Sequence, residues 1–462
     1  MPAPVAVLDA IQGRFDATID ELIGLARIPG VSAAGFDPAE VERSAVHTAE
    51  LLDDVGLRGV ELLRLDGAHP YVVADWLDAG PGAPTALVYA HHDVQPPGRP
   101  DFWKSPAFEP TVRSDGRLYG RGVVDDKAGI LLHAAALRAW LEVTGSLPIN
   151  VKLIVEGEEE IGSEHLAEFL RAHRERFDAD VLILSDTANL ETGLPSLTTS
   201  LRGLVTVDVT VRALDHPIHS GMWGGPVPDA ATALACLLAR LVDANGEIAV
   251  PGLLDDVPEL TQHERAAIDA LPFDEASFRT DAGLRSDAPF CGDGRFSVYE
   301  RIWRRPSLAI TAIEGMPLAT AANQLIAVAR ARVGVRLAPG QDADRVAKIV
   351  VDFLNCDPPY GVEVELENSS AVPGWLTQPI GAAFDAARRA LAAGFGREPV
   401  IIGCGGSIPF VGPFSQVLGG IPALLLGLED PPCNAHGENE SLDLDDFRKA
   451  AIAAAHLLAE LR

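Results

Sequence analysis

Residues Val151, Leu153, Ile154 and Val155 make a short, β-branched apolar run that leads straight into residues 156–163, EGEEEIGS. The run reads as a buried strand, and the glycine behind it as the point where the chain leaves the strand for a loop. Any fold of this chain must therefore bring a buried strand end and three consecutive glutamates, Glu158 to Glu160, to one place. An ionised carboxylate taken out of water costs on the order of several kcal/mol. Bound cations offset that cost, whereas a solvated acidic turn avoids it, and the stretch by itself allows both.

The arrangement recurs along the chain. The strand-like run 85–90 ends in HHDVQPP, beginning at His91; LYGRGVVDDKAG closes on Asp125, Asp126 and Lys127 ahead of a helical stretch to about residue 144; the run 181–184 ends in Ser185 and Asp186; and the run 423–427 precedes His436. Helical spacing also appears over 5–26, 38–55, 164–177, 380–392 and 442–461. Strands alternating with helices predict an α/β fold with a doubly wound, mixed sheet and a largely parallel core, whose ligands belong at the carboxyl ends of the strands.

Near residues 194–202 the texture changes. VTVDVTV over 205–211 alternates strictly, as a half-exposed antiparallel strand does, and leads into DHPIHSGMWGG and a helix over 229–242. A loop-rich, acidic excursion follows over 251–298, then strand-like runs at 308–313 and 325–337, a helix over 344–354 and a strand over 362–366. This predicts a smaller α+β domain over 199–372, inserted as a lid and dimerisation domain into a catalytic domain made of 1–198 and 373–462. Its uncovered sheet face points to a homodimer.

A formal net charge of −29 repels phosphate backbones and anionic lipid, which excludes nucleic acid and membrane surfaces as partners. The first 28 residues carry no basic leader, and no stretch approaches the ~20 apolar residues of a membrane span. The five cysteines, Cys236, Cys291, Cys356, Cys404 and Cys433, are odd in number and scattered. Free thiols in the cytoplasm are the expectation.

Histidine and carboxylate donors without cysteine suit zinc, with manganese or cobalt as substitutes. Asp93, Asp125, Glu159, Glu160 and Asp186 together bring five negative charges, close to the four positive charges of two dications. One carboxylate can bridge two ions about 3.5–4 Å apart, with the water between them acidified.

The five loops, in this order around an inserted domain, resemble the dinuclear zinc peptidase and acylase family of carnosinases, cytosolic dipeptidases, aminoacylase, carboxypeptidase G, acetylornithine deacetylase and succinyl-diaminopimelate desuccinylase, nearly end to end. The resemblance implies two zinc ions per subunit: His91 and Asp186 on one, Glu160 and His436 on the other, and Asp125 bridging. Asp93 would orient His91, and Glu159 would be the general base. His219, in IHSG, matches the histidine that reaches the partner subunit's site to steady the oxyanion. Arg336, in VGVRLAPGQ, matches an arginine that holds the substrate carboxylate; Asn323, in TAANQLIAVAR, matches a polar residue near that carboxylate. Gly405, Gly406, Ser407, Ile408 and Pro409 match the family's substrate-binding turn, with Cys404 where dipeptidase relatives tend to be acidic. Asn439 and Glu440 match a loop-shaping pair. On their own residues, His92 reads as packed, Asp126 as the cap of the following helix, and Cys433 as lying outside a filled ligand set. Glu158 has no assigned role.

The HHDVQPP loop, the segment around Trp103 and LYGRG look closest to the carnosinase and dipeptidase branch. The expected activity is metal-dependent hydrolysis of dipeptides, a metallopeptidase chemistry. The alternatives are an N-acyl or N-carbamoyl amino acid amidohydrolase with the same site, and a non-catalytic metal-binding interaction protein.

Overall fold

A computed structural model describes residues 1–285, 287–408 and 411–462 of the chain. Pro409, in the glycine turn quoted above, lies outside the described residues. Eleven strands concern the function: β1 (Arg58–Leu63), β2 (Tyr71–Trp76), β3 (Thr85–His91), β4 (Asn150–Glu156), β5 (Val181–Ala188), β6 (Ser196–Leu201), β7 (Gly203–Arg212), β8 (Ser307–Glu314), β9 (Val328–Leu337), β10 (Glu363–Val372) and β11 (Ala423–Glu429). The chain divides into two compact units, one of Met1–Thr199, Gln378–Ile402 and Phe410–Arg462, the other of Ser200–Thr377 and Gly403–Pro409.

The first unit is α/β, built on a mixed sheet in the order β1-β2-β4-β3-β5-β11-β6. Its four central strands, β4, β3, β5 and β11, are parallel, and antiparallel pairs flank them. Burial on both faces explains why these strands read as continuous apolar runs. The helix Lys127–Thr144 lies deep in this unit; every residue from Lys127 to Trp140 is buried. Its apolar residues share one core with the helices Ala382–Phe395 and Leu444–Glu460. At its start the Lys127 ammonium donates to the carbonyls of Leu25 (3.1 Å) and Ile28 (2.9 Å), closing the end of the helix Phe15–Ala26.

The second unit is an antiparallel sheet in the order β8-β9-β7-β10. The alternation at 205–211 means what it predicts: Val205, Val207, Val209 and Val211 are buried against the helices Ala230–Ala239 and Ala343–Asn355, while the residues between them stay half exposed. β8 and β10 are the edges of this sheet, and on β8 Ile310 and Ile313 are exposed.

Several elements differ from their sequence reading. The first helix divides into Val5–Gly13 and Phe15–Ala26, at a glycine that disfavours helix. The helix expected over 164–177 is Leu166–Ala172 followed by a separate short turn at Arg174–Arg176, and the Glu158 carboxylate accepts the His165 N–H (3.0 Å) at its start. The run 325–337 splits: Gln324–Leu325 pairs with Ile218–His219, and β9 starts at Val328. The acidic excursion carries the helices Gln262–Asp269 and Glu275–Asp281, capped by Thr261 with Glu264 and by Asp274. Among the described residues no helix is long and apolar enough to cross a membrane.

A small sheet of Thr111–Val112, Arg117–Tyr119 and Ser441–Asp443 fastens the carboxyl-terminal stretch to the first unit. Its clasp is Arg117, buried and bidentate on Asp430 (2.6 and 2.7 Å), with further bonds to Ser441. Removing one partner of such a pair leaves an uncompensated buried charge, so Asp430→Ala should cost about 3–5 kcal/mol. Chemical denaturation followed by tryptophan fluorescence checks this, and Asp430→Ala combined with Arg117→Met should recover part of the loss.

Candidate metal centre

Parallel register sets the site. β3 and β4 run side by side with His91 opposite Glu156, and β5 flanks β3, so the loops after β3 and β4 leave the same edge as Asp186 near the end of β5. Two groups of ligand atoms gather there, His91 with Asp125 and Asp186, and Asp125 with Glu160 and His436; within each group all atoms lie within 4.8 Å of one another. Asp125 belongs to both. Its Oδ1 is 3.0 Å from His91 Nε2 and its Oδ2 is 2.8 Å from His436 Nε2. Asp186 Oδ2 completes the first group at 3.7 Å from His91 Nε2, and Glu160 Oε2 the second at 3.3 Å from His436 Nε2.

The electrostatics fit cations. Burial presses the His91 imidazole towards neutrality, yet its bonds to Asp125 and Asp93 raise its pKa well above the ordinary value. Bonds to Asp125 and Glu160 push His436 up to about 11. Both shifts have one source, the carboxylate charge crowded around the two rings, which bound dications would also balance. For Asp125 burial acts upward, but its bonds to His436 and His91 win and lower it. Burial first, then the charges of neighbouring carboxylates, raises Glu160 and Asp186. Glu159 rises to about 8 for the same leading reason. Oxygen and imidazole donors crowded in this way suit divalent cations of the zinc, manganese and cobalt kind.

Asp93 organises the loops without joining either group. The His91 Nδ1 faces the Asp93 carbonyl (3.1 Å) and its Oδ1 (3.4 Å). The same carboxylate accepts the N–H of Glu159 (3.3 Å), the N–H of Glu160 (3.1 Å) and the Ser32 hydroxyl (2.6 Å). Gln95 holds Glu160 through its backbone N–H (3.0 Å) and side-chain amide (2.8 Å). The Glu159 carboxyl is left beside the two groups as a member of neither.

A buried ion pair fixes the other side. Glu440 accepts from Arg121 Nη1 (2.5 Å) and from the N–H groups of Gly122, Val124 and Asp125 (3.0–3.3 Å). Arg121 Nη2 donates to the carbonyl of His436 (3.0 Å), a residue in the left-handed region at φ 63°. Such a backbone persists only where its surroundings hold it. Asn439 ties the same loop to the Trp103 segment, through Lys104 N–H (2.8 Å) and the Phe102 carbonyl (2.8 Å).

Asp126 corrects its sequence reading. It begins the helix Lys127–Thr144 but makes no capping bond with its side chain; Oδ2 instead accepts the His91 N–H at 3.1 Å. His92 is packed, its Nε2 against the Pro70 carbonyl (3.0 Å). Glu158 is buried and bonded to Tyr71 (2.7 Å) and His165, so its task is local structure. Cys433 is buried and in neither ligand group. Arg121, Gln95 and Ser32 also serve the site: the first two stand inside LYGRG and HHDVQPP, and nothing in the sequence around Ser32 signals its part.

In the second unit, Arg336 Nη1 donates to Ser407 Oγ (2.8 Å), beside Gly405 and Gly406. His219 and Asn323 share another place there: His219 pairs with Gln324, and the Ser220 N–H donates to the Asn323 carbonyl at 2.9 Å. The His219 side chain accepts the Gly221 N–H at Nδ1 (3.1 Å), which leaves its proton on the exposed Nε2.

Residues 87–460 match Peptidase family M20/M25/M40. A cysteinylglycine-S-conjugate dipeptidase of Corynebacterium striatum is 33% identical over 378 residues, 81% of each chain. A Cys-Gly metallodipeptidase of Schizosaccharomyces pombe is 31% identical over 458 residues, 96% of this chain and 94% of that one. The crystal structure of human carnosine dipeptidase 1 superposes with a TM-score of 0.86 at 26% identity, covering 100% of this chain and 99% of that one.

Glu440 lies outside both ligand groups, so its worth to them can be measured. Glu440→Gln should weaken divalent-metal binding about 10- to 100-fold, as the loss of other outer partners of metal ligands does. Competition against a chromogenic chelator reads the affinity, with circular dichroism checking that the fold is kept.

Proposed function

We propose that this chain, which belongs to Peptidase family M20/M25/M40, is a dipeptidase that works with two zinc ions per subunit, with manganese or cobalt as workable substitutes. One observation carries the reading: Asp125 offers one oxygen to each of two histidine–carboxylate groups, and the Glu159 carboxyl, within electrostatic reach of His91, Glu160 and Asp125, belongs to neither. The relatives named as dipeptidases, matched across most of their lengths, support peptides as substrates.

In this reading His91, Asp125 and Asp186 hold one ion, and Asp125, Glu160 and His436 the other. Bound there, dications polarise an amide carbonyl and acidify water. Glu159 moves the proton: its carboxylate takes one from water and returns it to the leaving nitrogen. Asp93 keeps Glu159 in place through the backbone bond at 3.3 Å, while fixing the ring of His91. His219 donates from Nε2 to the oxygen that gains negative charge. Arg336 and Ser407, with Asn323 nearby in role, receive the peptide's terminal carboxylate. The chain acts as a homodimer through its second unit, in which His219 serves the metal centre of the second copy; the exposed Ile310 and Ile313 on the open edge of β8 support that contact. Five free cysteines fit the cytoplasm.

Purified protein with added zinc or manganese should release amino acids from free dipeptides, and a chelator should abolish release. Turnover of N-acetyl or N-carbamoyl amino acids alone would overturn the dipeptidase reading. Glu159→Gln should lower kcat by about 100-fold or more while metal content, read by atomic absorption, stays unchanged. Mixing Glu159→Gln with His219→Ala protein should restore activity that neither has alone, because a mixed dimer holds one site free of both changes.

A further inference from the structure

The second unit contains two neighbouring arginines, Arg202 and Arg336, that no carboxylate among the described residues pairs with. Arg336, on β9, donates Nη1 to Ser407 Oγ (2.8 Å), and that hydroxyl donates to the main-chain carbonyl of Arg202 (2.6 Å). Arg202, just ahead of β7, donates Nε to the Gly405 carbonyl (2.9 Å), Nη1 to Ser307 Oγ (3.0 Å) and its backbone N–H to the Gly406 carbonyl (3.1 Å). The turn is closed from behind, where the Gly406 N–H reaches Cys404 Sγ (3.3 Å). It is also tightly packed: a Cβ at Gly405 would stand 2.8 Å from Ile302 Cγ2 and 3.3 Å from Arg202 Nη2. Ile302 belongs to the helix Val298–Trp303, which closes the acidic excursion.

The charge balance here is anomalous. The chain has 66 acidic residues against 37 lysines and arginines, and on the same strand Arg332 is bidentate on Asp208 at 2.7 Å. Yet among the described residues neither Arg202 nor Arg336 forms an ion pair, and Arg202 Nη2 has no protein acceptor. Burial first, and then the charge of Arg336, pulls Arg202 down to about 10. Two half-buried guanidiniums that repel one another are stabilised by an anion placed between them, and a planar carboxylate matches their forks.

We infer that Arg202 is a specificity-determining residue, the second cationic arm of the site that takes the substrate's terminal carboxylate with Arg336 and Ser407. Its Nε and main chain hold the glycine turn in shape, and its Nη2 meets the carboxylate. The inference rests on the dipeptidase reading for its substrate, and it predicts a strong preference for peptides with a free carboxyl end over their amides.

The test uses metal-loaded full-length protein, a dipeptide and its carboxyl-terminal amide, and calorimetric titration with the product amino acid and with that amino acid's amide. A lost charge-assisted bond is worth about 10- to 100-fold in binding. Arg202→Gln should raise KM for the free dipeptide by about that factor with kcat nearly unchanged, and weaken the amino acid but not its amide. Arg202→Lys should keep most of the acid-over-amide preference, and Arg332→Gln, which removes the same charge from an exposed pair, should change neither. Arg202→Met takes the place of Arg202→Gln if the latter does not fold. Equal losses for acid and amide, or a fall in kcat with KM unchanged, would reduce Arg202 to a structural role and overturn the inference. If the wild type cleaves no dipeptide, the function fails by itself; calorimetry then still decides the anion site, supported by an acid-over-amide preference that Arg202→Gln abolishes and overturned by its absence.

Discussion

The site depends on one carboxylate shared by two imidazoles. Asp125 faces His91 with one oxygen and His436 with the other, at 3.0 and 2.8 Å. Nothing about aspartate enforces that position, because its side chain is short and its neighbours are mostly negative. The backbone enforces it: the N–H groups of Gly122, Val124 and Asp125 all point at Glu440, and Glu440 is itself neutralised by Arg121. A carboxylate outside the metal groups therefore aims a carboxylate inside them.

Asp93 does the equivalent work on the opposite side, where it joins the loop after β3 to the loop after β4. The two neighbouring glutamates there differ only in what holds their side chains. Glu160 is gripped by Gln95 from two directions, and the side chain of Glu159 belongs to neither ligand group. Adjacent residues on a tight turn can hold opposite duties because the backbone anchors, both on Asp93, are shared.

Much of this was legible in the sequence because strands deliver their last residues predictably. His91, Asp186 and the EGEEEIGS glutamates follow apolar runs whose burial on both faces needs no distant information. The alternation at 205–211 likewise declared a one-sided sheet. What stayed hidden depends on contacts between residues far apart in the chain. The bond from Arg121 to Glu440 spans 319 positions, and that from Arg202 to Gly405 spans 203. Asp126 looked like a helix cap because local rules give aspartate that role, but a tertiary donor, the His91 N–H, claimed the carboxylate first.

The clasp between Arg121 and the His436–Glu440 loop also bears on how the protein is made. His91, Asp125, Glu160 and Asp186 leave the ribosome long before residues 436–440, yet Asp125 is aimed and the second group is completed only when that late loop returns. Closing so long a loop is entropically costly and slow compared with forming local helices. A nascent chain therefore exposes a crowd of carboxylates with only one of its two histidines through most of its synthesis. The second of the two candidate ligand groups is thereby completed only at the last stage of folding.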